Sequence, residues 1–236
     1  MKKIVQFLCI IPVLLSACNT KCIEDSGKHI EKKVSFTAFE KIEVSGAIKL
    51  VLKQDSSYVV KIATDSNLMD YVTVEQKGSK LNISMKKSSY CGADSIVVEA
   101  GIGKLTEITA SGAVRTLSNA RINTGDLKLN LSGSTETVLD VNASKITSII
   151  DGVGKMKLYG QAGAHQLSIT GTGDIDASDF ITGIYNIEIT GNAKANINVL
   201  NELNVRTEGA SDIHYKGNPK KVNEKKSGAA TLEKVN

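Results

Sequence analysis

The chain of 236 residues has no tryptophan, only four phenylalanines and six tyrosines, and just two prolines, Pro12 and Pro219, one near each end. So few rings give poor support to sugar binding by stacking. The near absence of proline points the other way, because proline cannot donate to a backbone ladder and a chain without it can form long ones. Charge of one sign is also lacking: 29 basic residues stand against 25 acidic ones. The basic residues are dispersed apart from Lys220, Lys221, Lys225 and Lys226, which read as a solvated tail, so no nucleic-acid partner is expected. Neither a Gly-x-Ser-x-Gly elbow nor a Gly-x-x-x-x-Gly-Lys phosphate loop occurs, and "GIGKL" (Gly101 to Leu105) reads as a turn. No cofactor is expected.

Long apolar runs are missing except at the start. Lys2 and Lys3 precede the stretch Ile4 to Leu15, and Ser16, Ala17 and Cys18 follow it. This is the plan of a secretory signal, residues 1–17. The string "LLSAC" also matches the bacterial lipobox, which makes Cys18 the acylated first residue of the mature chain. Two or three acyl chains on one residue anchor firmly. Loss of Lys2 and Lys3 with the leader leaves 27 basic against 25 acidic residues. Cys9 departs as well, so Cys22 and Cys91 remain; an oxidising compartment admits a disulfide between them or two free thiols, and both readings stand.

What the chain does have is a glycine period. Gly46, Gly112, Gly133, Gly152, Gly171, Gly191 and Gly209 sit in short alternating runs, and the last six are 18 to 21 residues apart. A period near 20 marks stacked supersecondary units, since one unit cannot bury its apolar face alone. Two residues before each glycine stand Val44, Ala110, Leu131, Ile150, Ile169, Ile189 and Thr207; four before stand Ile42, Ile108, Leu129, Ser148, Leu167, Ile187 and Val205. The column four after, from Leu50 to Ile213, is weaker but still mostly apolar. Even offsets face a core with period 2, which means strand. Odd offsets are polar. Three residues after each glycine comes a charge: Lys49, Arg115, Glu136, Lys155, Asp174, Lys194 and Asp212. From Arg115 onward the signs alternate, as a ladder of opposite charges on successive segments would require. Such exposed pairs add about 0.2 to 1 kcal/mol each, so the ladder sets register more than stability.

Along the chain, residues 18–33 read as a polar tether and 34–100 as an N-terminal β portion. In that portion "VTVEQKGSKLNISM" predicts an antiparallel hairpin around Lys77, Gly78 and Ser79. "DSNLMDYV" is the one stretch with a helical turn. Residues 101–217 carry the repeats, and "YKGNPKK" breaks them. Residues 218–236, in which "AATLEKV" can add a closing strand, read as a C-terminal cap, because stacked repeats need their open ends covered.

The lipobox, "FEKIEVSGAIKLVLKQ", "DSNLMDYVTVEQKGSKLNISM", the recurring "SGA" and "SGS" turns and the ending "YKGNPKKVNEKKSG" resemble the putative auto-transporter adhesin, head GIN domain family, common in lipoproteins of Bacteroidetes-type bacteria. The resemblance covers about residues 35 to 234. The tripeptide that names the family is absent from its place, where the first repeat reads "SGAIKL". The resemblance implies an all-β, right-handed, parallel β-helix-like solenoid with about 20 residues per coil, at the cell envelope, and loosely implies adhesion. It names no ligand and no catalytic residue.

Parallel β-helices also host polysaccharide lyases, and Asp174, Asp176 and Asp179 in "GTGDIDASD" are the carboxylates to weigh. A calcium site needs six or more oxygens; here Lys155, Lys157 and Lys194 stand on the flanking repeats instead, and no metal site is expected. His29 lies in the tether, while His165 and His214 lack ligand-spaced partners and His214 takes an outward offset. Tyr58, Tyr71, Tyr90 and Tyr159 form no column but suit a protein interface or half-buried strand positions. The reading favoured is therefore a non-enzymatic lipoprotein, held to the membrane through Cys18 and offering a solenoid surface to a protein or glycan ligand. Asn19 after the cysteine, in place of Asp, favours the outer membrane; which side the body faces is open. An envelope polysaccharide-processing enzyme and a structural periplasmic scaffold are the alternatives.

Overall fold

The fold is seen in a computed structural model that describes residues 23, 24, 26–86 and 96–235. The described residues hold ten strands: β1 (His29–Ser35), β2 (Lys41–Gln54), β3 (Val59–Asp65), β4 (Val72–Lys77), β5 (Lys80–Met85), β6 (Val97–Ile102), β7 (Glu107–Ser118), β8 (Ile122–Asn123), β9 (Asp126–Lys216) and β10 (Lys221–Lys234). The one helical element among them is the 3-10 turn Met69–Tyr71, within the stretch expected to turn. All-β is thus the class, and the sheet is mixed and open, in the order β1-β3-β6-β2-β7-β9-β10 with β4, β5 and β8 beside this path.

Stretched out, the 91 residues of β9 would span roughly 300 Å at about 3.3 Å per residue. They fold back repeatedly instead, and the column glycines mark the stacking. Gly46 pairs with Gly112 and Gly112 with Gly133, in parallel register. A Cβ on Gly133 would lie 2.8 Å from the carbonyl oxygen of Gly112, and one on Gly152 2.6 Å from that of Gly133. Both glycines hold positive φ, +86° and +109°. Any side chain there meets neighbouring backbone in a conformation that L-residues resist, which is why glycine recurs.

Every residue at the three even offsets named above is buried, including the polar Ser148, Thr116, Thr137 and Thr207. The core is one continuous apolar cluster running from Phe39 to Ile213. Period 2 and the glycine positions therefore identify its lining from sequence.

One sequence expectation needs correction, and one gains detail. Residues 29–33, assigned to the tether, belong to β1, which pairs antiparallel with β3 from His29↔Asp65 to Ser35↔Val59. The pairing is through the backbone, and only Ile30 and Val34 are half-buried, so no alternation announces it. Residues 218–236, read as a cap with a closing strand, hold β10, which continues the parallel ladder and sets Gly228 beside Gly209.

The 66 residues between Gly46 and Gly112 also acquire a structural meaning. The expected hairpin forms, β4 with β5, joined through Gly78 and Ser79. But β5 also lies parallel to Lys41–Ser45, and β6 parallel to Lys49–Gln54, so together they cover the edge of β2 opposite β7. Met85 Cβ sits 3.0 Å from where a Cβ of Gly46 would be. This row has the same pairing without the glycine, and so escapes a search for the glycine period.

Candidate interaction surface

Within five residues of the column glycines, side chains at odd offsets leave the core and form columns along the outside. Of the charge column, Arg115 and Glu136 are register partners, with Arg115 Nη2 3.2 Å from Glu136 Oε1. Lys155 and Asp174 line a shallow groove of about 260 Å³ with Glu136, but the close ion pair there lies two residues further along, Lys157 Nζ to Asp176 Oδ2 at 3.0 Å. Asp176 also accepts a hydrogen bond from Ser178 Oγ at 2.7 Å. The Ser178 hydroxyl, and after it Lys157, hold the Asp176 carboxyl below the usual range, and the same pairing raises Lys157. Lys157 Nζ stands 5.3 Å from the ring centre of Tyr159, within cation–π range. Lys194 and Asp212 line a neighbouring groove, where Asp212 Oδ1 accepts from Thr231 Oγ1 at 2.5 Å.

A second set of columns stands on the other side of the glycines, and the sequence reading missed it. Asn186, Asn204 and Asn223 each fall five residues before a column glycine. Asn204 donates to Asn186 Oδ1 at 2.8 Å, and Asn223 to Asn204 Oδ1 at 2.6 Å. Beside this amide ladder run Glu202–Lys221, 2.9 Å, and Glu188–Arg206, 3.7 Å. Lys221, and next Asn204, draw the Glu202 carboxyl below its ordinary range. The columns enclose a shallow groove of about 370 Å³ whose floor includes Leu167, Ile187 and Val205. The asparagine spacing is as regular as the charge spacing and could have been found with the same alignment on glycine.

The apolar part of the exterior is smaller. Ile181 and Leu200, 42% and 49% exposed, rim a groove of about 440 Å³ together with Gly163 and Gly183. Tyr58 packs edge-on against Phe39 with ring centres 5.4 Å apart, so it belongs to the core margin. Tyr71 ends the 3-10 turn.

The histidines separate by environment. His29 Nδ1 lies 2.7 Å from the fully buried Asp65 carboxylate, which also accepts from the backbone of Gly27 at 2.9 Å. His214, at an outward offset, stands between Asp212 and Glu233 at 3.6 and 3.8 Å. His165 is inside, bonded to Ser148 Oγ at 2.9 Å through Nε2. Among the described residues no three His, Cys, Asp or Glu side chains converge to hold a metal. Cys18, Cys22, Cys91 and Tyr90 lie outside the described residues, and with them the lipidation site and the disulfide question.

Comparison with known proteins supplies what the columns alone do not. No curated protein matches the chain. Among solved structures, a putative adhesin from Bacteroides fragilis superposes with a TM-score of 0.83 at 22% identity, covering 90% of this chain and 100% of its own. A putative adhesin from Parabacteroides distasonis gives 0.72 at 27% identity over 91% of this chain and 100% of its own. One from Parabacteroides merdae gives 0.69 at 26% identity over 91% and 99%. The family model described as "Putative auto-transporter adhesin, head GIN domain" matches residues 38–219. The core from Phe39 to Ile213 and the seven column glycines fall within that match, β10 lies beyond it, and the chain belongs to this family.

Proposed function

We propose that this protein is a non-enzymatic envelope lipoprotein, anchored in the outer membrane through Cys18, that uses the outside of a β-solenoid as an adhesive surface. The carrying observation is the in-register repetition of the glycine rows. Parallel pairing of β7 with β9 at an offset of 21 residues and of β9 with β10 at 19 supports a chain wound in coils of about 20 residues. Parallel connections are overwhelmingly right-handed, which favours that hand here.

In this reading residues 1–17 are the leader, the chain from Cys18 up to β1 is the tether, and the rows carry side-chain columns toward a partner. The outward columns hold amides and charges of both signs, with a small apolar rim at Ile181 and Leu200. That mixture fits a protein or glycan partner recognised through many modest contacts. The family membership and the adhesin descriptions of the solved neighbours support an envelope setting.

Expression of the full chain in a Gram-negative host with a clickable palmitate tests the anchor: label should enter the protein and vanish in Cys18→Ala. Protease shaving of intact cells should then release the domain. Beads coated with the mature domain should adhere to a panel of host-matrix proteins or glycans. Absence of label would remove the anchor, and a domain protected in intact cells would remove the adhesive role.

A further inference from the structure

The last strand breaks the inside–outside rule that the earlier rows keep. β10 lies parallel on β9, so Val222, Glu224, Lys226, Ala230 and Leu232 are the partners of Leu203, Val205, Thr207, Ser211 and Ile213. All five partners are buried. Side chains of paired residues in a ladder point to the same face, so β10 turns a carboxylate and an ammonium toward the core end. They meet each other there: Lys226 Nζ is 2.6 Å from Glu224 Oε1, with the two side chains 34% and 32% exposed. Lys221, at an outward position of the same strand, is 61% exposed.

β10 is also the last strand of the sheet order, and its second backbone edge is unpaired among the described residues. An open parallel edge invites another chain to continue the ladder. Continuation here would carry the Glu224–Lys226 pair from the rim into the core, where desolvation opposes it. In place the pair does no such harm, because both side chains, about one-third exposed, keep access to water beside Val205 and Thr207. Inward-facing charge on an edge strand is an established way of stopping edge-to-edge growth.

We propose that the Glu224–Lys226 pair closes the C-terminal end of the stack against a second copy of the chain, which leaves recognition to the lateral columns. The inference rests on the register of β10 against β9 and is independent of the adhesive reading; a monomer that binds nothing would leave it intact.

Sedimentation velocity of the chain from residue 18 onward, made with Cys18→Ser so that it carries no acyl group, tests it over a wide concentration range, with hydrogen exchange of the β10 amides as a second readout. Wild type should stay monomeric, with the β10 amides that face away from β9 unprotected at every concentration. Glu224→Val with Lys226→Ile should associate, at least doubling its apparent mass as concentration rises while β10 amides gain protection. The outward pair Lys225→Ile with Ser227→Val should not. If the inward apolar variant yields no folded protein, Glu224→Gln with Lys226→Met keeps the shape without the charge and is read in the same way. A folded inward variant that stays monomeric would overturn the proposal, as would an outward variant that associates equally, or a wild type that self-associates with β10 protected.

Discussion

A histidine sealed inside an apolar core sets its own charging against the fold. His165 shares its inward column with Leu127, Ile146, Tyr185 and Leu203, all buried, and its ring centre is 4.7 Å from that of Tyr185 and 6.0 Å from that of Phe180. Burial lowers its pKa from 6.5 to about 3. The folded state therefore keeps it neutral while the unfolded chain takes up a proton below 6.5, and stability falls with pH through the window between those two values. The slope is about 1.4 kcal/mol per pH unit for one proton, so the drop from pH 7 to pH 5 should reach about 2 kcal/mol from this residue. Urea unfolding of wild type and His165→Leu at the two pH values should show the variant with a smaller loss by that amount; equal losses would mean that His165 is not held neutral. Gly152 makes a different residue-scale claim. Its φ of +109° and the nearby carbonyl of Gly133 leave no place for a methyl group. Gly152→Ala should cost about 2 kcal/mol or more, read as a lower urea midpoint at unchanged slope. Gly125 shows no atom within 4 Å of an added Cβ and has no positive φ, so Gly125→Ala serves as the mild control.

At the level of strands, what the sequence disclosed depended on whether side chains or backbone made the pairing. The rows with apolar even offsets were legible, because burial forces alternation and the glycine fixes its phase. The hairpin of β4 and β5 was legible from its turn. β1 was not, since it joins β3 through main-chain bonds while its side chains stay largely outside. The row formed by β5 and β6 was hidden because Met85 stands against Gly46 where a glycine was sought. β10 was legible only in its second half, as the closing strand of "AATLEKV": its "SGA" repeats that of Ser45 to Ala47 and of Ser111 to Ala113, but polar residues at Glu224 and Lys226 broke the pattern before it. Charges between rows predict a small, reciprocal energy. Arg115 and Glu136, each about two-fifths exposed at 3.2 Å, should contribute below about 1 kcal/mol. Arg115→Glu and Glu136→Arg should each destabilise slightly by setting like charges across the ladder, and the double exchange should recover most of the loss. A double-mutant cycle by chemical unfolding measures the coupling, and two strictly additive changes would show that the pair is solvent-separated in solution.

The molecule as a whole is built so that each row is supported by the row on either side, and the support runs out at the ends. β10 has one neighbour, and nearly all of its residues are exposed, with only Ala230 and Leu232 half-buried. β1 likewise ends the sheet and offers mostly exposed side chains. Between them, Ile150, Ile169 and Ile189 sit in core covered from both sides. When stability is a sum of row and neighbour terms, opening proceeds from the ends inward. Native-state hydrogen exchange should therefore give a gradient, with β10 and β1 amides opening at the lowest free energy and those of residues 146–189 at the highest. Gly152→Ala sharpens the test because it weakens the middle. Row-wise opening would lower protection around residues 133–171 and leave β10 amides, already the weakest, unchanged. One all-or-none unit would instead show equal protection across the rows and a uniform fall in the variant, and would mean that the core from Phe39 to Ile213 binds the rows into a single cooperative body.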